Sequence, residues 1–551
     1  MHPHPLSIPE ILDHVAKYLL PKDILNCLRV SRAFHTSLIR SLWKTIRIYN
    51  DGIKGRPLQY PLGENLRRYK HHIQRLIFID DSPPPYLTLR GCDCLQILRI
   101  KISRLDRELS SELAKDHQDR ILYGFAGLIV AHISTLREIA IQLSPRHMIA
   151  PSKELWEALL KCGGLKRLDL SHISVPDCLQ PLFLRVCAKP QRLSLSSIAL
   201  SGWPATMSDI ALTGPRDLSI SKHPKDRQVI TMSHSNQALL IRHCLNLESL
   251  NWRGGHGRHS DVFQSDIETA TFYNTLAMDP WPLPHLETLN LSWTTVKDQE
   301  LASVLRGMYR LKSLKVIGTR FGPLSLQAIT MDRMEGVGSS HRAIDPQGPC
   351  YERKLCDSIE VLLINDCIGV SSKMIQTIME SCPRLTQFHA DTVTMTDIAQ
   401  GHEWACLRMR DLQFYLKADV NVSYHHDDAD LESGHFAEMQ RGVYSRLAML
   451  TWLERLHLTN HVHRTVEKRT LDLKLKAGMD LLAWLTNLKE VTYLFDDHQR
   501  IGVDEAQWIK QYWPRLKIFK GYPNDHGSVR QQIKEILKPI AIEDTPIERL
   551  Q

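Results

Sequence analysis

The apolar phrase Leu-x-x-Leu-x-Leu recurs along the chain, and an internal repeat constrains a fold more strongly than any local motif. Its clearest copies are Leu165–Leu170, Leu286–Leu291, Leu311–Val316 and Leu453–Leu458. Allowing other apolar residues adds units that start at Ile73, Leu95, Leu136, Pro190, Pro215, Leu247, Ile359, Leu385, Met409, Leu488 and Leu516. Most successive starts lie 22 to 32 residues apart. Alternate apolar residues turn one face of a short strand inward and leave the x positions outside. Each unit then needs a return segment, and several of these read as helix. In Ser371–Glu380 the serines stand ready to cap, and Met374, Ile375, Ile378 and Met379 follow at helical spacing. No single unit can bury its own face, so the units must stack. The predicted class is an α/β repeat.

A second regularity fixes the register. Three residues before the strand phrase stands Cys92, Cys162, Cys187, Cys244, Cys356, Cys382 or Cys406 in seven units. The others carry an apolar residue there, except Lys70 in the first. Cysteine in such a column acts as a small hydrophobe. Cys367, eight residues into the Ile359 unit, sits where a side chain can bond the turn backbone. The best copy runs Ile359-x-x-Leu362-x-Ile364-x-x-Cys367, then Ser371 and a helix, then Ser381-Cys382-Pro383-x-Leu385. It resembles the cysteine-containing class of leucine-rich repeats, which implies a horseshoe-shaped solenoid. The solenoid is expected over residues 73–524, with residues 525–551 as a helical cap or tail. Gaps of 35 to 48 residues follow Leu95, Leu247, Leu311, Met409 and Leu453. The clearest projecting insertions are 331–354 and 418–434.

The first fifty residues follow another grammar. Pro9 stands near a helix start, and Ile11, Leu12, Val15, Ala16, Leu19 and Leu20 recur at helical spacing. Pro21 breaks that helix, Asp23 is placed to cap the next, and Ser31 a third that runs to Trp43. Ile8-Pro9, Ile11-Leu12, Leu19, Asp23, Val30-Ser31-Arg32 and Leu42-Trp43 together resemble the F-box, over residues 6–46. Phe34 stands where a tryptophan is common, and Ser31 where a cysteine is. The resemblance implies a three-helix module that binds the Skp1 linker and, through it, a cullin-based ubiquitin ligase. The contact positions carried over are Ile8, Pro9, Ile11, Leu12, Leu19 and Val30. Residues 47–72 would be a linker or first cap. The alternative for the whole segment is a helical cap on the array, which repeat proteins require.

Catalysis has no visible constellation. The sequence holds no Gly-rich phosphate loop, no Gly-x-Ser-x-Gly elbow and no His-Glu-x-x-His helix. His425–Asp428 and His256–His259 read as solvated loop residues, and no Cys-x-x-Cys pair suggests zinc or redox work. No enzyme activity, cofactor or metal is expected. The N-terminus lacks a secretory pattern and no run of eighteen apolar residues occurs, so the expectation is a cytosolic or nuclear protein with reduced thiols. The net charge of +8 is spread over 551 residues without a like-charged block. That disfavours a nucleic-acid tail.

The remaining surface signal lies in the outward strand positions of the first six units. They carry Arg75, Arg99, Arg137, Lys166, Arg167, Arg192 and Arg216, against the acidic Glu138, Asp169 and Asp217. If these residues share one wall, it is locally positive and suits an acidic or phosphorylated protein segment. Independently solvated side chains are the other reading. The functional expectation is a substrate-choosing adaptor of an SCF-type ubiquitin ligase, with a plain leucine-rich-repeat scaffold as its alternative.

Overall fold

The computed structural model describes residues 8–49, 61–79, 84–102, 111–143, 148–200, 202, 211–221, 232–253, 283–331, 354–419, 434–458, 471–493, 501–521, 527–538 and 540–543. The sequence groups at His256–His259 and His425–Asp428 lie outside them, as do all but the edges of the two predicted insertions.

Three helices open the chain: α1 (Pro9–Ala16), α2 (Pro21–Cys27) and α3 (Arg32–Trp43). Pro9 and Pro21 each occupy a first helical position, where the missing N–H costs nothing. Leu20 is the N-cap of α2, so Asp23 lies inside its first turn and favours the positive helix end, in place of the expected capping role. Ser31 caps α3, its side chain accepting from the Phe34 amide at 3.2 Å.

Parallel strands follow in two compact units, one running to Asn251 and the other holding the described residues from Leu283 onward. The first contains β1 (Thr45–Tyr49), β2 (Arg75–Ile79), β3 (Ile97–Lys101), β4 (Glu138–Gln142), β5 (Arg167–Val175), β6 (Arg192–Leu200) and β7 (Asp217–Ser221), and β8 (Ser249–Arg253) starts within it. Each of β1 to β6 pairs in parallel with the next, in unbroken register. The second unit contains β9 (Thr288–Asn290), β10 (Ser313–Lys315), β11 (Val361–Leu363), β12 (Gln387–Thr394), β13 (Asp411–Lys417), β14 (Arg455–His457), β15 (Glu490–Thr492), β16 (Ile518–Lys520) and β17 (Ala541–Glu543), again each parallel to its successor. Parallel neighbours need a crossover, and helices such as Lys153–Lys161, Asp298–Arg306 and Ser372–Ser381 provide it. This is the leucine-rich-repeat fold.

Strands β2 to β16 each begin two residues after a predicted unit start. The ladder is longer than expected at both ends. β1 lies within residues read as module end and linker, and β17 lies beyond residue 524, where a cap or tail was expected. The phrase leucines form the interior: Leu165, Leu168 and Leu170 are buried, as are Leu286, Leu289 and Leu291. Full burial of each contributes roughly 1.5–3 kcal/mol.

The cysteine column is an interior column. Cys92, Cys162, Cys187, Cys244, Cys356, Cys382 and Cys406 are all buried, and Cys367 donates its thiol to the Val316 carbonyl at 2.9 Å. Desolvation pushes Cys92, Cys244 and Cys406 up to about 12 and Cys162, Cys356 and Cys367 up to about 11. At pH 8 that leaves a thiolate fraction of about one in a thousand or less, and the thiolate is the reactive form. Alkylation of the native protein should therefore modify the exposed Cys94 and Cys178 while these eight react only on unfolding. Rapid native labelling of Cys187 or Cys382, read by mass spectrometry, would contradict the packing.

A regularity absent from the sequence reading appears seven residues after the unit start. His172, Ser197, Trp293, Gly318 and Asp366 all adopt positive φ there, between 50° and 66°. At Gly318 the choice of residue is dictated by space as well, because an added Cβ would run into the Trp293 ring. One position further on, Thr294 and Thr319 donate their hydroxyls to the Leu291 and Val316 carbonyls, both at 2.7 Å. These threonines and Cys367 occupy one repeat position and satisfy turn carbonyls that the ladder leaves over.

Candidate interaction surfaces

The helical module has its own small interior of Leu12, Ala16, Ile24 and Leu38, with Leu19, Cys27, Leu28, Phe34 and Leu42 packed around it. It is anchored at its end, where the buried Trp43 packs on Tyr69 with ring centroids 5.1 Å apart and α3 runs directly into β1. Of the six positions carried over from the F-box resemblance, Pro9, Ile11 and Val30 are exposed, Ile8 and Leu19 are half-buried, and Leu12 belongs to the interior. Exposed beside them are Val15, one turn from Ile11 on α1, together with Tyr18, Leu20 and Leu25. Tyr18 is 78% exposed and Val30 69%. So dense a set of large apolar side chains in one small module marks a surface for protein contact.

The seven basic residues do not form one wall. Arg75, Arg167 and Arg192 stand two residues after their unit start, Arg99 four, and Arg137, Lys166 and Arg216 one. Four of them have an acidic neighbour: Arg167 pairs with Asp169 (3.0 Å), Arg192 with Asp217 (3.0 Å) and Arg216 with Glu248 (3.1 Å), and Arg99 more loosely with Glu138 (3.8 Å). Three of these pairs cross to the following unit, while Arg167–Asp169 lies within β5. Arg75, Arg137 and Lys166 make no ion pair among the described residues. The expected positive wall is thus largely a set of ion pairs, each exposed enough to contribute about 1 kcal/mol or less.

The structure collects a different group. A depression of about 340 Å³ on the exposed face of β1 to β5 is lined by Arg47, Arg99, Lys101 and Arg167 around Ile77 and Ile79, with Ala140, Gln142 and Asp169 completing it. Arg47 and Lys101 were missed in the sequence. Arg47 lies on the unrecognised first strand, and Lys101 one alternation beyond the phrase, where the signal is only the period-two pattern.

The second unit carries a polar ladder on its strands. Asp411 is buried, and its Oδ2 accepts from Arg455 at 2.7 Å and from Gln387 Nε2 at 3.1 Å, with His389 Nε2 at 3.3 Å. Two strands further on, Lys520 lies 3.0 Å and His457 3.7 Å from Glu490 Oε1. Burial acts to raise the Asp411 carboxyl, but the hydrogen bonds from His389 and Arg455 outweigh it and hold it at about 2. A carboxylate so acidic is a poor general base at neutral pH, which favours an ion-pair network over catalysis here. Among the described residues no group of three or more His, Cys, Asp or Glu side chains is placed to hold a metal ion. No helix among them is long and apolar enough to cross a membrane.

With this geometry in place, comparison with known proteins gives the module its class. The F-box-like family model matches residues 9–49. No curated protein matches the chain. Among solved structures the chain is similar to an internalin from Listeria monocytogenes, at 11% identity over 90% of this chain and 92% of that one, with a TM-score of 0.30. It is also similar to TLR13 in a complex with ssRNA13, at 11% identity over 87% of this chain and 59% of that one, with a TM-score of 0.34. Residues 9–49 thus carry an F-box-like domain, which the chain joins to the parallel leucine-rich-repeat strands described above, and this pairing suggests a protein-interaction adaptor.

Proposed function

We propose that the chain is the substrate-recognition adaptor of an SCF-type ubiquitin ligase. The F-box-like domain would bind a Skp1-like linker and through it a cullin, and the strand face would hold the target protein. The observation that carries this reading is the exposed apolar set around Pro9, Ile11 and Val30, on a domain that the F-box-like family model matches. An array cap has no need to leave six large apolar side chains in water. The adaptor contributes proximity and orientation, and the chemistry belongs to its partners. The buried cysteine column and the Cys367 turn bond support assigning the repeats to the cysteine-containing class. This reading has the protein work in the cytosol or nucleus, where thiols stay reduced.

The test is capture of purified Skp1 by the full chain. The Pro9→Ala/Ile11→Asp double variant changes two exposed residues, so the module should fold. It should lose roughly 30- to 1000-fold in affinity, the range for removing an interface hot spot. A wild-type chain that fails to bind Skp1 at micromolar concentration would rule out the adaptor reading.

A further inference from the structure

We propose that the depression across β1 to β5 binds an extended acidic segment of the target, in which two carboxylates four residues apart flank an apolar side chain on the same face. Calling the ligand a target segment rests on the adaptor reading; the recognition chemistry is read from the lining residues themselves.

The lining alternates by strand. Arg47 stands on β1, the half-buried Ile77 and Ile79 on β2, Arg99 and Lys101 on β3, Ala140 and Gln142 on β4, and Arg167 with Asp169 on β5. Arg167 is engaged through its Nε by both Asp169 oxygens, at 3.0 and 3.2 Å, and brings no free charge. Arg99 is held only loosely by Glu138 at 3.8 Å. Arg47 and Lys101 make no ion pair among the described residues. The free cationic stations are therefore β1 and β3, with an isoleucine floor between them.

Adjacent strands lie about 4.8 Å apart, so Arg47 and Arg99, level across β2, are separated by about 9.6 Å, and Lys101, two residues further along β3, lies about 12 Å from Arg47. An extended peptide advances about 3.3 Å per residue and turns alternate side chains to one face, so carboxylates four residues apart share a face and span about 13 Å, with the residue midway between them facing the same way. A peptide crossing the strands can therefore set one carboxylate on Arg47, another on Lys101 and Arg99, and an apolar side chain on Ile77 and Ile79. A lone phosphate would engage Lys101 and Arg99 but leave Arg47, two strands away, without a partner. The lining also contains no aromatic ring on which a nucleic-acid base could stack.

The experiment selects a random-peptide display library on the purified full chain and measures the selected peptides by fluorescence anisotropy. Wild type should enrich acid-x-apolar-x-acid sequences. The Arg47→Gln/Lys101→Gln and Arg47→Glu/Lys101→Glu variants should weaken their binding by about 10-fold and about 100-fold, since the first removes two charge contacts and the second replaces them by repulsion. Thermal melting confirms that the variants fold. The idea is overturned by enrichment without acidic residues, by equal binding of peptides with adjacent acids, by variants that bind as wild type, or by displacement with inorganic phosphate at matched charge. Skp1 capture is measured on the same samples. A wild type that binds Skp1 but selects no peptide sinks the groove alone, and one that selects the peptides without binding Skp1 sinks the adaptor reading alone.

Discussion

Replacing Asp298 by alanine is expected to destabilise the second unit by about 2–4 kcal/mol, because three backbone amides lose one charged acceptor. Asp298 lies in the first turn of the helix Asp298–Arg306, and its carboxylate reaches the next unit. Oδ1 accepts from the Gly322 and Ser325 amides at 3.0 and 2.9 Å, and Oδ2 from the Leu324 amide at 2.9 Å. These are the orphan donors at the start of the helix Pro323–Thr330, where a negative charge also meets the positive end of the helix dipole. Gly322 makes the approach possible, since a Cβ there would strike the carboxylate. Asp298→Asn keeps one acceptor oxygen and should recover part of the loss. Hydrogen exchange reads the effect locally: the Gly322, Leu324 and Ser325 amides should lose protection in the alanine variant. Unchanged protection at all three would show that the cap contributes little.

The second large effect is expected at Asp411. Arg455→Ala removes its shortest bond and leaves a buried carboxylate held by His389 and Gln387 alone. Removing one partner of a fully buried pair costs about 3–5 kcal/mol, and Arg455 is half-exposed, so roughly 2–3 kcal/mol is expected. The pH dependence carries the signature. The Asp411 carboxyl is depressed from 3.8 to about 2, so its contribution is complete above about pH 4 and is lost as the pH falls towards 2. Without Arg455 that carboxyl rises, and acid unfolding of the variant should begin at higher pH than in wild type. His457, lowered by burial, works in the same direction. Its neutral form is favoured in the fold, and that contribution is lost as the pH falls below its ordinary value of 6.5. Denaturant midpoints measured from pH 3 to 8 test both statements. Parallel curves for wild type and variant would mean that Arg455 does not hold the Asp411 charge.

Much of the fold was legible because strand alternation is a local property. A phrase such as Leu165-x-x-Leu168-x-Leu170 specifies its strand wherever it occurs, and the cysteine three residues ahead, Cys162, specifies its depth. Trp43-x-x-Ile46-x-Ile48 obeys the same rule, but Trp43 also closes the helical module, and the two roles overlap in one residue. The last strand, Ala541–Glu543, follows a proline and has too few apolar residues to stand out. In the N-terminal module, helical spacing identified the apolar residues but not their orientation. Ile11 and Leu12 are neighbours in sequence, yet one faces water and the other the interior, a distinction set by how α1 and α3 meet.

The repeated apolar phrase by itself determined that this chain stacks parallel strands, where fifteen of them begin, and that the seven cysteines of the repeat column are interior. Only the tertiary structure decided which charges meet. The return segments between strands differ in length, so residues adjacent on the sheet, such as Arg99 and Glu138, or Asp411 and Arg455, are far apart in sequence at irregular separations. Parallel register brings such residues side by side, and charge–charge energy falls with distance in space. That is why a row of arginines legible as a positive wall is mostly a set of ion pairs, and why Arg47 and Lys101, without an ion pair among the described residues, stand together around Ile77 and Ile79.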